Sequence, residues 1–222
     1  MPDEWSKIAK GAENIQDLKN RVLNPKLLAL VQQNAGPDAH IFDYGCGWGE
    51  FADILAQRGY SVQAFDASDE MIARARERFN KPTFLSDAEF SKKLPELEGK
   101  FDVVASNLVL CILNKKEQAV MLKNVCQLLK PSGVIIFSFC HPCLDYITAG
   151  IVSKRIRPYE HLPRYDQEFR YRKIVHENKI EFDDYHRPLE YYIGLFQKHS
   201  LQIIDIAESE VLDTEFYPDF II

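Results

Sequence analysis

Apolar and polar positions follow two different periods along the first two-thirds of the 222-residue chain. Short, nearly continuous apolar runs predict buried strands at 39–44, 61–66, 83–88, 101–110 and 134–140. Between these runs, apolar residues recur at helical spacing and predict helices over 50–58, 67–79 and 115–130. This repeated order of strand and helix is typical of a parallel sheet with helices on both faces.

The last third of the chain departs from this rhythm. Residues 145–187 are dense in aromatic, charged and proline residues and show no clear period. After them, the pattern predicts a helix over 188–199 and strands at 201–211 and 218–222. These two strands are too close in sequence for a crossover helix, so we expect them to pair antiparallel. No repeat or linker divides the chain, and we predict a single domain over 1–222.

Composition places the chain among ordinary globular proteins. Apolar residues make up 46% and charged residues 27%, and no apolar run approaches the ~18 residues of a membrane helix. The polar N-terminus lacks the apolar segment of a signal peptide, and five cysteines then fit reduced thiols. We therefore predict a cytoplasmic protein with no membrane partner. The net charge of -6 disfavours a nucleic-acid partner.

The stretch FDYGCGWGEFA, residues 42–52, joins the first predicted strand to the first helix through three glycines. Such a turn lets a ligand come close to the backbone. The third glycine comes one residue earlier than in the G-x-G-x-x-G of dinucleotide sites, and Asp43 and Glu50 would both repel a pyrophosphate. Asp66 ends the next strand, where an acid commonly accepts hydrogen bonds from ribose hydroxyls. The pattern favours a cationic ligand that carries a ribose and no phosphates.

S-adenosylmethionine has these properties, and the sequence resembles the class I S-adenosylmethionine-dependent methyltransferases. Five segments carry the resemblance, in the order of the family's strands: DYGCGWG, VQAFDAS, LSDA, FDVVASNLVLCIL and LLKPSGVIIFSF. A nicotinamide-dependent oxidoreductase is the alternative from another class of enzyme. The glycine spacing and the two acids near it disfavour that alternative.

The resemblance implies a Rossmann-like α/β fold, with a seven-stranded, mostly parallel sheet, helices on both faces and an antiparallel C-terminal hairpin. It implies S-adenosylmethionine as the cofactor, and Asn107 near its reacting methyl group. The residues expected to bind the cofactor lie near the strand ends: Asp43, Gly45, Cys46, Gly47, Gly49, Asp66, Ala67, Met71, Asp87, Ala88 and Asn107. Arg21 is a further candidate, as a partner of the methionine carboxylate. Residues 145–187 lie where this family builds a substrate lid.

Two histidines are candidates for catalysis. His141 follows the fifth strand, at the edge of the sheet where ligands bind, and His186 lies in the segment DDYHRP. A general base is needed only if the acceptor carries a proton at the working pH, and a capping role for His141 stays open. Cys140 and Cys143 form a C-x-x-C without a second such pair, so we predict no metal site.

The activity that these features imply is transfer of a methyl group to a small-molecule acceptor. The fourth strand ends in SNLVL and lacks the Asn-Pro-Pro-Tyr type motif of exocyclic-amine nucleic-acid methylases. A non-catalytic protein that binds S-adenosylmethionine and recognises a partner is a second alternative, because a retained cofactor site does not show turnover.

Overall fold

A single mixed sheet forms the centre of the molecule, in a computed structural model that describes residues 19–143, 164–175, 180–209 and 220–222. The described residues form eight strands: β1 His40–Tyr44, β2 Ser61–Phe65, β3 Thr83–Leu85, β4 Phe101–Asn107, β5 Leu129–Cys140, β6 Phe169–Val175, β7 Ile180–His186 and β8 Phe220–Ile221. The central sheet has the order β3-β2-β1-β4-β5-β8. Its first five strands run parallel, and β8 runs antiparallel to β5.

Within the described ranges, six α-helices flank the sheet: α1 Asn24–Asn34, α2 Glu50–Gln57, α3 Asp69–Arg78, α4 Asp87–Leu97, α5 Lys115–Leu128 and α6 Leu189–Lys198. A π-helical turn, Lys19–Leu23, precedes α1. Ser68 caps α3 and accepts a hydrogen bond from the Met71 amide. Along the described ranges, no helix has the length and apolarity to cross a membrane.

The helices cover the sheet on both faces, and successive strand residues point to opposite sides. Ile41 and Val103 belong to one hydrophobic cluster, while their neighbours Phe42 and Val104 belong to the other. Helices α1, α2 and α3 pack into the first cluster, and α4, α5 and α6 into the second. The predicted α/β fold with a mostly parallel central sheet is confirmed.

The third strand is shorter than predicted, and the pattern missed the helix that follows it. Strand β3 ends at Leu85 because Ser86 begins α4 with a capping box. The Ser86 side chain accepts from the Glu89 amide, and the Glu89 carboxylate accepts from the Ser86 amide at 2.8 Å. Pro95 lies inside α4, and this proline within a highly charged segment hid the helix in the sequence.

Two further boundaries differ from the prediction. Strand β4 ends at Asn107 rather than residue 110, because Leu108 adopts a left-handed conformation with φ 61°. Helix α5 ends at Leu128, and β5 then begins at once and runs through Pro131 and Gly133. Residues 131–133, which separate the predicted helix from the predicted strand, are therefore part of the strand.

The segment without a clear period contains a β-hairpin that the sequence did not predict. Strands β6 and β7 pair antiparallel, from Phe169 opposite His186 to Val175 opposite Ile180, and form a sheet of their own. Two parts of the predicted lid, 145–163 and 176–179, lie outside the described residues.

The C-terminal end of the sheet agrees with the prediction only in part. Strand β8 closes the sheet antiparallel to β5, with Phe139 opposite Ile221. Residues 201–207, predicted as a strand, have no strand structure, and Glu208 forms a single antiparallel bridge to Ile221. The seventh strand of the central sheet is thus not confirmed. Residues 210–219 lie outside the described ranges.

Candidate cofactor-binding site

A cleft opens where the carboxyl ends of the neighbouring parallel strands β1 and β4 meet. It is lined by residues from the amino-terminal turn, α1, β1, the loop after β1, α2 and β4: Lys19, Asn24, Asp43, Gly45, Cys46, Trp48, Glu50, Phe51 and Asn107. Four of the predicted cofactor residues lie here: Asp43, Gly45, Cys46 and Asn107. Of the other lining residues, Trp48, Glu50 and Phe51 belong to the sequence stretch of the glycine loop. Lys19 and Asn24 carry no signal in the sequence that marks them as part of a site.

The glycine loop, residues 45–49, requires glycine at two positions for reasons of both conformation and space. Gly45 has φ 82°, and a Cβ atom there would lie 2.3 Å from Cγ2 of Val109. Gly49 has φ 80°, and a Cβ atom there would lie 2.6 Å from the ring of Phe84. The loop is also held from β2, because the amides of Gly45 and Cys46 donate to the Phe65 carbonyl. The loop is therefore a fixed backbone surface.

Asp43 is the least satisfied polar group of the cleft. Its side chain is 1% exposed, and neither carboxylate oxygen has a hydrogen-bond partner among the residues the structure describes. Burial raises the pKa of Asp43 to about 7, against the opposing effects of the Lys19 ammonium and of the Ala52 amide, which lies near the carboxylate without hydrogen-bond geometry. Native proteins pair almost all buried carboxylates, so this one indicates a ligand that brings a positive charge.

Lys19 lines the cleft, whereas Arg21, the candidate from the sequence analysis, does not. Lys19 is partly buried, whereas Arg21 is exposed. Burial lowers the pKa of Lys19, and the acids Asp43, Glu50 and Asp66 around it act in the opposite direction. Several lysines precede the first strand without a distinctive spacing, so no pattern in the sequence distinguishes Lys19 as a residue of the cleft.

Trp48 brings a second unsatisfied polar group into the cleft. Its side chain is 8% exposed, and among the described residues its indole Nε1 has no hydrogen-bond partner. The guanidinium carbons of Arg74 and Arg78 lie 5.7 and 5.9 Å from its ring centroid. Arg78 also pairs with Glu50 at 3.4 Å. The ring is thus held from α3, and its N–H has no acceptor among the described residues.

Asp66 is held at the end of β2 by two backbone amides. Its Oδ2 accepts from Gly47 at 2.8 Å and its Oδ1 from Ser68 at 2.9 Å. Burial raises its pKa, while these two hydrogen bonds act in the opposite direction. Each carboxylate oxygen keeps a second lone pair, so Asp66 can accept further hydrogen bonds from a diol while it fixes the loop.

The other predicted cofactor residues lie along the same strand ends but do not line the cleft. Met71 is 7% exposed on α3, and Ala67, just before that helix, is exposed. Asp87 and Ala88 are exposed in the first turn of α4, where Ser86 rather than Asp87 is the cap. Their contact with a cofactor stays a prediction.

Asn107 is oriented by a buried chain of side-chain hydrogen bonds. Its Nδ2 donates to Oδ1 of Asn24 at 3.0 Å, and its Oδ1 accepts from Oγ of Ser138 at 2.9 Å. The Leu108 amide donates to the same hydroxyl oxygen at 3.2 Å. Asn24, which the sequence analysis missed, is 3% exposed and continues the chain to Asn20 at 2.7 Å. Asn107 is therefore fixed from α1, β5 and the loop after β4.

The two candidate catalytic histidines lie in different surroundings. His141 follows β5 at the predicted edge; its Nδ1 accepts from the Cys143 amide at 3.2 Å, and its Nε2 faces Glu208 at 3.3 Å. His186 is fully buried, and its Nε2 contacts the Tyr165 carbonyl at 2.7 Å. Burial lowers the pKa of His186, so its neutral imidazole donates to that carbonyl. These contacts favour a structural role for His186.

The fold and the cleft together define an α/β protein with a glycine loop and a buried carboxylate at the carboxyl ends of parallel strands. Residues 42–137 match the profile of a family described as "Methyltransferase domain". This match spans the glycine loop, Asp66 and Asn107. The match agrees with the predicted resemblance to the class I S-adenosylmethionine-dependent methyltransferases and with S-adenosylmethionine as the predicted cofactor.

Named relatives agree with this assignment. A malonyl-[acyl-carrier protein] O-methyltransferase of Pectobacterium atrosepticum is 34% identical over 119 residues, which cover 53% of this chain and 44% of the relative. Human glycine N-methyltransferase is 29% identical over 153 residues, covering 60% and 50%. The chain spans about half the length of the curated relatives it matches.

The fold likeness extends over more of the molecule. The structure of magnesium protoporphyrin IX methyltransferase from Synechocystis, solved with bound S-adenosylhomocysteine, is 20% identical. It superposes with a TM-score of 0.59 and covers 89% of this chain and 80% of its own. At this level of identity the likeness concerns the fold.

Proposed function

We propose that this protein transfers the methyl group of S-adenosylmethionine to a small-molecule acceptor. The observation that carries the proposal is the buried Asp43 carboxylate, which has no hydrogen-bond partner among the described residues and lies beside the glycine loop. An ammonium group of the ligand satisfies this carboxylate and restores its ionised form. A nicotinamide dinucleotide would instead bring a pyrophosphate to the glycine loop, and the Asp43 carboxylate beside that loop would repel it.

The surrounding residues divide the binding of this cofactor between them. Asp43 accepts from the amino group, and the glycine loop brings backbone close to the ligand. Asp66 accepts from the ribose hydroxyls, and Ala67, Met71, Asp87 and Ala88 surround the adenine. Asn107 faces the reacting end. Bound S-adenosylmethionine supplies a methyl group that its sulfonium makes electrophilic.

Lys19 and Trp48 complete the recognition of the amino-acid end. The Lys19 ammonium and the Trp48 Nε1–H are both donors that line the cleft with Asp43. A carboxylate beside the ammonium of the ligand accepts from both. This assigns to Lys19 and Trp48 the part that the sequence analysis gave to Arg21.

The acceptor side is formed by the segment 145–187, which we assign as a lid on one domain spanning 1–222. Its described part is a hairpin outside the central sheet, joined to the loop after β4 through Arg187. A lid excludes water and aligns the acceptor for in-line displacement. Names of relatives include an O-methyltransferase and an N-methyltransferase, so carboxylic acids and amines are the first acceptors to screen.

Calorimetric titration of the wild type and the Asp66→Ala variant tests the proposal. We expect S-adenosylhomocysteine to bind the wild type and to bind the variant about tenfold or more weakly, because two hydrogen bonds to a charged group are lost. Turnover is then tested with labelled S-adenosylmethionine against the acceptor panel.

Other results would contradict the proposal in distinct ways. Binding of NAD without S-adenosylhomocysteine would assign the cleft to a nicotinamide enzyme. Cofactor binding without turnover of any acceptor in the panel would favour the non-catalytic alternative.

A further inference from the structure

We infer that Arg187 positions the loop after β4 and so couples the hairpin β6–β7 to the cofactor cleft; this inference rests on the proposed function. Arg187 directly follows β7, and its side chain is fully buried. A buried guanidinium is strongly destabilising unless its donors are paired. The pairing partners of Arg187 show which parts of the molecule it connects.

Arg187 donates three hydrogen bonds, one to the residue before the hairpin and two to the loop after β4. Its Nε donates to Glu168 Oε1 at 2.9 Å, just before β6. Its Nη1 donates to the Cys111 carbonyl at 3.1 Å and its Nη2 to the Leu113 carbonyl at 2.8 Å. The rings of Tyr185 and Tyr191 lie 4.4 and 5.3 Å from its guanidinium carbon. This planar fork of donors has a geometry that lysine cannot reproduce.

The loop after β4, residues 108–113, depends on side chains from outside it. Besides the two carbonyls bound by Arg187, the Leu110 carbonyl accepts from Nε2 of the buried Gln118 at 2.8 Å. The Gln118 Oε1 in turn accepts from the Tyr191 hydroxyl at 2.6 Å. The loop starts at Leu108 in a left-handed conformation, which is unfavourable for a leucine. External hydrogen bonds therefore stabilise the loop in this form.

The same loop forms part of the wall of the cofactor cleft. Val109 packs over Gly45, so closely that its Cγ2 lies 2.3 Å from where a Gly45 Cβ would be. The Leu108 amide shares the Ser138 hydroxyl with Asn107, which lines the cleft. A shift of this loop changes both the packing on the glycine loop and the orientation of Asn107.

Glu168 extends the connection to the start of the hairpin and to α5. Its second carboxylate oxygen pairs with Lys115 in the first turn of α5. Its side chain is 22% exposed, whereas that of Arg187 is 0% exposed. Ordering the hairpin and binding the cofactor thus stabilise the same arrangement of the loop, and each favours the other.

The test compares the Arg187→Lys variant with Leu128→Ala as a matched control for lost stability. Leu128 is fully buried at the opposite end of α5, near the amino edge of the sheet. Affinity for S-adenosylhomocysteine is measured by calorimetry at a temperature where both variants are folded. We expect Arg187→Lys to bind about three- to thirtyfold more weakly than the wild type. Leu128→Ala should bind within about twofold of the wild type, since distant sites couple little.

A second readout locates the effect. In Arg187→Lys we expect faster amide hydrogen exchange in residues 108–113 and in the glycine loop, and the control should leave both unchanged. Equal binding by Arg187→Lys and the wild type would overturn the inference while leaving the proposed function intact. If Arg187→Lys does not fold, Glu168→Gln takes its place with the same expected directions. A wild type that does not bind S-adenosylhomocysteine would overturn both.

Discussion

Two regions of the molecule treat buried polar groups in opposite ways. At the cofactor cleft, the Asp43 carboxylate and the Trp48 indole N–H are buried without hydrogen-bond partners among the described residues. At the junction of the hairpin and α5, the Arg187 guanidinium is more deeply buried than Trp48, yet it binds one carboxylate and two carbonyls. Both regions contain a charge that hydrophobic packing alone would reject.

The difference separates binding from positioning. A buried charge that has hydrogen-bond partners within the protein keeps those partners in position. A buried charge without such partners indicates that a ligand supplies them. We therefore expect S-adenosylhomocysteine to stabilise the surroundings of Asp43 directly. It should stabilise the surroundings of Arg187 only indirectly, through the loop that packs on Gly45.

The largest expected effect is that of Asp43→Asn. Loss of a charge-assisted pair with the ligand amino group, worth about 3 kcal/mol, should weaken S-adenosylhomocysteine binding about 100-fold. The ligand-free variant should nevertheless melt several degrees higher at pH 8, because it no longer buries an ionised carboxylate. Calorimetry and thermal melts check the two directions.

Asp102→Asn is the control for that prediction. Asp102 pairs with Lys130 and with the His40 amide at the opposite edge of the sheet. Its loss should leave ligand binding unchanged. Weakening of ligand binding by Asp102→Asn to the same degree would remove the distinction between the two edges.

The next effect concerns pH. Burial raises the pKa of Asp43 to about 7 in the ligand-free protein, and only the ionised form pairs with an ammonium. Binding should therefore take the carboxyl to its ionised form, and S-adenosylhomocysteine affinity should fall about tenfold per pH unit below pH 7. Titrations from about pH 5.5 to about pH 8.5 check this, because the range extends to both sides of the expected pKa of about 7. A slope that persists in Asp43→Asn would assign the titration to another group.

The same pKa fixes the sign of the change in stability. The folded-state value lies above the ordinary value of 3.8, so this group stabilises the ligand-free fold fully only below about pH 4. That contribution is lost as the pH rises through about 7. Saturating ligand should reverse the trend, because it stabilises the ionised form.

The smallest expected effect is that of Trp48→Phe. The ring and its contacts with Arg74 and Arg78 are largely kept, while the Nε1–H is lost. We expect about tenfold weaker binding of S-adenosylhomocysteine, the lower end of the range for one hydrogen bond to a carboxylate. Methylthioadenosine lacks the amino-acid end, so its affinity should stay the same. An equal loss for both ligands would show that Trp48 acts through the loop instead.

The sequence predicted the cofactor edge better than the acceptor side. Asp43, Gly45 and Cys46 were identified because strand ends and glycine turns leave local signals in the sequence, and Asn107 was identified from the family resemblance. Lys19 and Asn24 were missed because their only distinguishing feature is the cleft they line. Helix α4 was missed because its charges and Pro95 obscured the period, although Ser86 and Glu89 form a capping box.

The sequence by itself determined the alternation of strands and helices, the parallel sheet and the class of ligand at its carboxyl edge. These follow from periods, caps and glycines, which act over a few residues. Only the tertiary structure decided which donors surround Asp43, that Ser138 and Asn24 orient Asn107, and that Arg187 joins the hairpin to the loop after β4. Those contacts link residues about 30 to 80 positions apart, as in the bond from Asn107 to Asn24, and such separations leave no local pattern.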